Sequence, residues 1–258
     1  MRKLVIIGIG TGNPEHMTVQ GINALNSVDV VLVPRKGPAK DDLARLRREI
    51  CDRFLTNAAA RIVEFDLPVR DAAEPSYADG VRDWHAAIAA TYHNLLLEHT
   101  STGSSVALLV WGDPSLYDST LRIVELLRDS IGLAVDHEVV PGITSIQALA
   151  AGHRMPLNTI GNAFQVTTGR RLVEGFPDAT DTAVVMLDGN LSFHHLDGRA
   201  FDIFWGAYLG TKDEVLVSGL LSDVADEIGR LRSELRRQHG WIMDTYLLRK
   251  RSGAPPRD

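Results

Sequence analysis

Short apolar runs alternate with longer segments of helical character through the first half of the chain. Leu4–Ile9, Val28–Val33, Arg61–Phe65, Val106–Trp111 and Val135–Val140 have strand length. Between them, Pro14–Ser27, Asp41–Phe54, Tyr77–Glu98 and Pro114–Ser130 read as helices, and another opens at Thr144. Strands alternating with helices predict an α/β unit, a parallel sheet with helices on its faces. Ligands of such sheets sit at the carboxyl ends of the strands. The rhythm changes after Gly152: Phe164–Thr168, Ala183–Leu187, Ile203–Leu209 and Val215–Leu221 read as closely spaced strands. The amphipathic helix Ser222–Gln238 then precedes a last strand, Trp241–Leu248. The expectation is two domains, residues 1–155 with the parallel sheet and 156–250 with a mixed α+β sheet, and a loose tail over 251–258.

Composition narrows the classes. At 258 residues and 45% apolar, both halves can hold a core. Cys51 is the lone cysteine, so no internal disulfide forms, which fits a reducing, cytoplasmic setting. The Met1-Arg2-Lys3 start is not read as a secretion signal, because Gly8, Gly10, Gly12 and Pro14 interrupt the apolar run. No stretch reaches the roughly 18–20 apolar residues of a membrane span. The net charge of −6 argues against nucleic acid as a partner. An anionic ligand would need a local basic patch.

Three loops at predicted strand ends carry the candidate chemistry. The first, Gly8-Ile9-Gly10-Thr11-Gly12-Asn13-Pro14-Glu15, has glycines that let backbone approach a ligand, an Asn13 cap and Pro14 at a helix start. Dinucleotide binding asks for Gly-x-Gly-x-x-Gly, and Asn13 stands where the third glycine belongs. Asp29 lies at about the 20-residue offset of a ribose-binding acid. This loop alone leaves a dinucleotide site, another ligand site and a tight turn all open. In the second loop, Trp111-Gly112-Asp113-Pro114-Ser115-Leu116-Tyr117, Asp113 reads either as cap of a helix begun by Pro114 or as a carboxylate facing a ligand crevice. The third, Pro141-Gly142-Ile143-Thr144-Ser145-Ile146-Gln147, contains a Thr144/Gln147 capping box. Three such loops on one edge suggest one composite site. A phosphate loop, a paired-cysteine zinc motif and a Gly-x-Ser-x-Gly elbow are all missing from the sequence. His194-His195, read as adjacent strand residues pointing apart, is not expected to bind metal.

Taken together, the Gly8–Thr18, Gly112–Tyr117 and Pro141–Ser145 segments resemble, in order and spacing, the three signatures of the tetrapyrrole methylases. The similarity extends over essentially the whole chain. Lys36–Leu43, Thr167–Leu172, Trp205–Thr211 and Gly240–Tyr246 resemble one branch of that family. That branch replaces an acetyl group of precorrin-5 by methyl and releases acetate. The resemblance implies two α/β domains, a homodimer, and S-adenosylmethionine as cofactor in the cleft between domains, with S-adenosylhomocysteine as product. Carried over by position, it implies cofactor contacts at Gly10, Thr11, Gly12, Trp111, Gly112, Asp113, Leu116, Thr144 and Ser145. In the second domain it implies Met186, Leu187, Ala207 and Tyr208. Thr11 departs from the proline of several relatives, which leaves the local loop shape open. The competing functions are methylation of another precorrin and, in a different class, NAD-dependent oxidoreduction.

Loss of acetate calls for activated water, and carboxylates or imidazoles can activate it. His16, Asp113, Tyr117, Asp188 and Asp244 are candidates by type, with Asp113, Tyr117 and His16 foremost. A polycarboxylate substrate calls for cations, best arginines. Arg35, Lys36 and Lys40 follow the second strand, and Arg170 and Arg171 open the second domain. Each reads equally as a solvated surface charge. Arg45, Arg47 and Arg48 are expected on a helix surface.

Overall fold

β1 (Arg2–Gly8) sends Leu4 and Ile6 into one apolar cluster and Val5 and Ile7 into another, so both of its faces are buried. That is the signature of a central strand covered by helices on both sides. The computed structural model describes residues 1–35, 41–70, 77–129 and 132–251. In it, β2 (Val30–Arg35), β3 (Arg61–Asp66), β4 (Ser105–Val110) and β5 (Val135–Val140) join β1 in a five-stranded sheet, order β3-β2-β4-β1-β5, every pairing parallel. α1 (Val19–Leu25) and α2 (Asp41–Phe54) cover one face through Leu25, Leu46 and Ile50. α3 (Tyr77–His99) and α4 (Thr120–Asp129) cover the other through Ile88, Leu96, Ile123 and Leu127.

Because the strands are parallel, their carboxyl ends share one edge. β4, β1 and β5 are neighbours, so the three glycine-bearing loops emerge side by side. β1 connects to β2 beyond β4, and β4 connects to β5 beyond β1, so the two connections leave in opposite directions. That is the topological switch point at which open α/β sheets bind ligands.

Two predicted helices begin later than expected. Pro14–His16 is a single 3-10 turn, and α1 starts only at Val19, where Thr18 Oγ1 accepts from Gly21 N–H at 2.9 Å. The extended backbone of Met17 buries that side chain between the two. α4 starts at Thr120, six residues past Pro114, because Tyr117 adopts a left-handed conformation (φ 51°) that no α-helix accommodates.

The second unit begins with α5 (Ser145–Gly152), followed by β6 (Phe164–Thr168), α6 (Gly169–Leu172), β7 (Thr182–Met186), β8 (Phe201–Ala207), β9 (Val215–Leu220), α7 (Leu221–His239) and β10 (Asp244–Lys250). Its sheet runs β6-β7-β10-β8-β9, with β6 and β7 parallel and the other neighbours antiparallel. Trp205, Phe193 and Tyr246 pack with Leu221, Ile228 and Leu235 of α7 into its core. α7 ends at Gly240, which takes the left-handed capping conformation (φ 75°). The compact units are Met1–Thr144 and Ser145–Asp258. α5 goes with the second because Leu149 packs directly on Gly206, where a Cβ would stand 2.9 Å from Leu149 Cδ1. The boundary expected after residue 155 puts this helix with the first unit, and the observed boundary precedes it. Of the expected tail, 251–258, only Arg251 is described, its N–H donating to Ala200 O at 2.9 Å; residues 252–258 lie outside the described residues.

Candidate functional site

At the switch point the chain comes together as backbone. Past β1, Ile9 N–H donates to Val110 O at 2.9 Å, and Gly10 and Gly112 form an antiparallel bridge with bonds of 3.3 and 2.8 Å. Gly142 lies so close that a Cβ on it would sit 2.2 Å from Gly112 O, and one on Gly8 would sit 2.6 Å from Gly142 N. Only glycine tolerates such approaches. Gly112 is different: it has φ +70°, and nothing lies within 4 Å of where its Cβ would point. The loops thus close against one another behind Gly112 and leave open space before it.

Asp113 ties the second loop to the third. Its Oδ2 accepts from Gly142 N–H at 2.8 Å, and its Oδ1 accepts from the Ser115 N–H and hydroxyl. Burial pushes this carboxyl up, but the hydrogen bonds from the Ser115 hydroxyl, Gly142 and Ser115 N–H outweigh it and hold the pKa below the ordinary carboxylate value. Asp113 is therefore not the cap of a helix at Pro114, as one reading had it, but a charged clasp between loops. In the first loop Thr11 is buried and its Oγ1 lies 3.2 Å from His16 Nδ1. His16 folds back over Gly10, where a Cβ would stand 2.3 Å from His16 Cβ. Gly12 carries φ +133°. Trp111 and Leu116 are half-buried, Thr144 is buried, and Tyr117 is 45% exposed.

The second unit has its own edge, where β7 and β8 end on either side of the start of β10. Met186 is half-buried, and Leu187 follows in a left-handed conformation (φ 53°), 67% exposed. Ala207 is buried, and Tyr208 repeats the left-handed turn (φ 50°). The Tyr208 ring belongs to the core, its hydroxyl donating to Trp241 O at 2.5 Å, so only its backbone belongs to the edge. Ser145 Oγ accepts from the Thr245 hydroxyl at 3.2 Å.

Behind this edge lies a buried polar network that the scattered positions of its members hid from the sequence. Arg232 Nε donates to Asp244 Oδ2 at 2.9 Å, Trp205 Nε1 donates to the same oxygen at 3.0 Å, and Arg232 Nη2 donates to Asp188 O at 2.9 Å. Asp188 Oδ2 accepts from the Tyr246 hydroxyl at 2.6 Å and from Ser192 N–H at 2.6 Å. Burial raises the Asp244 carboxyl despite Arg232 and Trp205. For Asp188, burial is overcome by the bonds from Tyr246, Asn190 and Ser192, and its pKa falls. Burial and the adjoining Asp188 drive the Tyr246 hydroxyl upward.

The predicted cations are dispersed. Arg35 grips Asp66 in a forked pair at 3.1 and 3.0 Å, and Arg171 pairs with Glu174 at 2.9 Å, both at the surface. Arg170 is exposed on α6. Lys36 and Lys40 lie outside the described residues. One expectation is reversed: Arg47 is not on the surface but buried, its Nε donating to Leu109 O at 2.9 Å. It follows Leu46 into the core face of α2, while Arg45 stays exposed and Arg48 pairs with Glu64 at 3.1 Å. Asp29 is at the wrong end of the sheet for ribose: its Oδ2 accepts from Ser105 N–H and hydroxyl (2.7 and 2.9 Å) where β2 and β4 begin. That removes the acid a dinucleotide site requires. His194 and His195 lie in a 3-10 turn rather than a strand, and no metal-holding cluster occurs among the described residues.

The model of the Tetrapyrrole (Corrin/Porphyrin) Methylases matches residues 3–225. The chain belongs to the tetrapyrrole methylases. This methylase is 53% identical to the precorrin-6A synthase [deacetylating] of Sinorhizobium sp, over 97% of the chain and 96% of the relative. Among solved structures it is similar to the cobalamin synthesis related protein CobF of Corynebacterium diphtheriae, with TM-score 0.84 and 40% identity over 97% of this chain and 99% of that one. The uroporphyrin-III C-methyltransferase of Thermus thermophilus, crystallised with S-adenosylhomocysteine, shares the fold at TM-score 0.57 and 20% identity, covering 95% and 91% of the two chains.

Proposed function

We propose that this methylase is a precorrin-6A synthase of the deacetylating type, moving a methyl group from S-adenosylmethionine to precorrin-5 and releasing acetate. The observation that carries the reading is the 53% identity, sustained over 97% of the chain, to a relative of that name. The first unit suits the cofactor. The open face of Gly112 is a cradle that a side chain would fill; Gly10 bridges to Gly112 and Asp113 clasps the neighbouring loop, and Thr11, Gly12, Trp111, Leu116 and Thr144 are proposed to complete the cofactor contacts. In the second unit, Ser145, Met186, Leu187, Ala207 and Tyr208 offer backbone and hydroxyl groups at a single sheet edge. When bound, S-adenosylmethionine supplies an electrophilic methyl on a sulfonium. Arg35, Lys36, Arg170 and Arg171 are proposed to hold substrate carboxylates, with a homodimer as the working form and the cytoplasm as its setting. Among the described residues no helix is long and apolar enough to cross a membrane.

The chemistry sets what the chain must do. A ring carbon bearing an acetyl group and a ring substituent has no valence for a methyl. An oxygen nucleophile must add to the acetyl carbonyl, the bond to the ring carbon must break, and that carbon, left with the electron pair, takes the methyl. The protein contributes alignment of that carbon and exclusion of surplus water. Incubation with labelled S-adenosylmethionine and precorrin-5 should give methylated product and acetate in equal amounts, with calorimetry showing S-adenosylhomocysteine binding. Methylated product retaining its acetyl group would instead assign another precorrin methyltransferase activity.

A further inference from the structure

The acetyl group needs a nucleophile, and the foremost carboxylate is a poor source of one. Both oxygens of Asp113 are engaged within the loops, and its pKa is held down. Asp188 is likewise enclosed by Tyr246 and Ser192. A different pair stands six residues beyond Asp113. His85 Nε2, on α3, lies 2.9 Å from Ser119 Oγ, at the residue preceding α4.

Resting on the deacetylating reading above, we propose that Ser119 and His85 form the acetyl-accepting pair, Ser119 as nucleophile and His85 as its general base. Serine before a helix ordinarily caps it by accepting from a first-turn N–H. Here that task has passed to Asp118, whose Oδ1 accepts from Thr120 N–H at 2.7 Å, and Ser119 Oγ turns to the imidazole instead. The amino end of α4 adds a positive dipole beside the oxygen, which favours the alkoxide. Ser119 and His85 open onto a surface cleft shared with Tyr117 and Arg122, the latter a cation suited to a substrate carboxylate. Ser119 also lines a smaller cavity of about 90 Å³, walled in part by Leu32, Trp84, Ile88 and Tyr92, which exceeds the roughly 10–15 Å³ a water requires and leaves room for a small acyl group. Burial and the neighbouring Arg122, against Asp118, keep the imidazole below its ordinary pKa and so able to accept a proton near neutrality.

The step balances without an outside oxidant. Ser119 Oγ bonds to the acetyl carbonyl carbon as its proton passes to His85, and the carbon–carbon bond to the ring breaks with its electron pair left on the ring carbon. That carbon bonds to the sulfonium methyl, releasing S-adenosylhomocysteine. His85 gives the proton it took from Ser119 up to solvent. Water then adds to the serine ester as its proton passes to the freed imidazole, which hands it to Ser119 Oγ as acetate leaves, so the full turnover releases two protons.

The test measures acetate and methylated product from precorrin-5 with wild type, Ser119→Ala, Ser119→Cys and His85→Gln. Ser119→Ala and His85→Gln should lose acetate release by about a hundredfold or more, with S-adenosylhomocysteine affinity and melting temperature unchanged. Added imidazole should partly rescue His85→Gln. Ser119→Cys, which keeps a nucleophile should the alanine variant fold poorly, should carry one acetyl group on residue 119 after acid quench. Ser119→Ala at more than a third of the wild-type rate, or unacetylated Ser119→Cys that turns over, overturns the pair while leaving the reading intact. Wild type that releases no acetate overturns the reading itself and the inference with it.

Discussion

The two sheet edges that carry the candidate site residues are built by opposite means. In the first unit the edge is backbone against backbone, with Gly8, Gly112 and Gly142 in contact and a carboxylate, Asp113, as clasp. In the second unit the turns at Leu187, exposed, and at Tyr208, buried, are left-handed at non-glycine residues, and buried side chains hold the strands from behind. The first design leaves room at its surface, because what is missing there is side chain. The second spends charged groups in its interior, where they fix position and are costly to leave unpaired. The lesson is that a conformation glycine allows for free is held elsewhere by a satisfied network, and the two should fail differently when cut.

The deepest cut is Arg232→Met. It leaves the Asp244 carboxylate buried without its cation, and breaking one partner of such a pair costs ~3–5 kcal/mol. Denaturant unfolding followed by tryptophan fluorescence should show that loss. Replacing both partners, Arg232→Met with Asp244→Leu, should recover most of it. A single variant as stable as wild type would show the network to be dispensable and the contrast between edges false.

Gly142→Ala ranks second. Its added Cβ meets Gly112 O at 2.2 Å, backbone that cannot swing aside. Overpacking of this kind costs ~1–3 kcal/mol. The functional effect should exceed the structural one, since the displaced loop carries the Gly112 cradle. S-adenosylhomocysteine affinity by calorimetry should fall about a hundredfold, against a melting temperature only a few degrees lower. A change in stability with unaltered affinity would move the cofactor away from this edge.

The contrast also explains what could be read from the sequence. Glycine turns are local, so Gly10, Gly12, Gly112 and Gly142 stand out beside apolar runs, and the parallel sheet brings Gly10, Gly112 and Gly142 together as expected. The network joins positions 188, 205, 232, 244 and 246, which no spacing rule connects. Arg47 has charged neighbours on α2 and so reads as surface, while its own direction follows Leu46 and Ile50 into the core. Pro114 predicts the start of α4 because proline suits a first turn. Tyr117, left-handed three residues after Pro114, postpones it, and nothing in its own residue type announces that conformation.

Asp113→Asn should act more gently. An amide offers one acceptor where the carboxylate uses two, so either Gly142 or Ser115 loses its partner. Hydrogen bonds to charged groups are worth ~1.5–3 kcal/mol each, but the site is partly open to solvent and the net loss should be at the lower end. Cofactor affinity should drop about tenfold, or ~1.4 kcal/mol. The sign with pH follows from the depressed carboxyl. Its stabilisation is present above the unfolded value near ~3.9 and disappears as pH falls through the lower folded value. Wild type should therefore lose its advantage over Asp113→Asn below about pH 4, as thermal unfolding across pH would record. An unchanging difference down to pH 2 would mean that the charge of Asp113 does not hold the loops.

The smallest effect should come from Arg171→Ala, which removes an exposed partner of Glu174 from α6, outside both edges' supports. Exposed pairs are worth ~0–1 kcal/mol, so stability should change by less than that and cofactor affinity not at all. Substrate is another matter. A tetrapyrrole with many carboxylates gains from each cation it meets, and a partly exposed contact of that kind weakens with salt because the Debye length contracts from ~10 Å at 0.1 M to ~3 Å at 1 M. Tetrapyrrole binding should therefore weaken severalfold in Arg171→Ala at low salt, and wild type and variant should converge at high salt. Equal losses for cofactor and tetrapyrrole would tie Arg171 to the shape of the second edge, extending that edge's support to an exposed side chain. Equal affinities for tetrapyrrole at every salt concentration would leave the residue a solvated surface charge, and would shift the search for the substrate's carboxylate partners to Arg122 in the cleft beside Ser119.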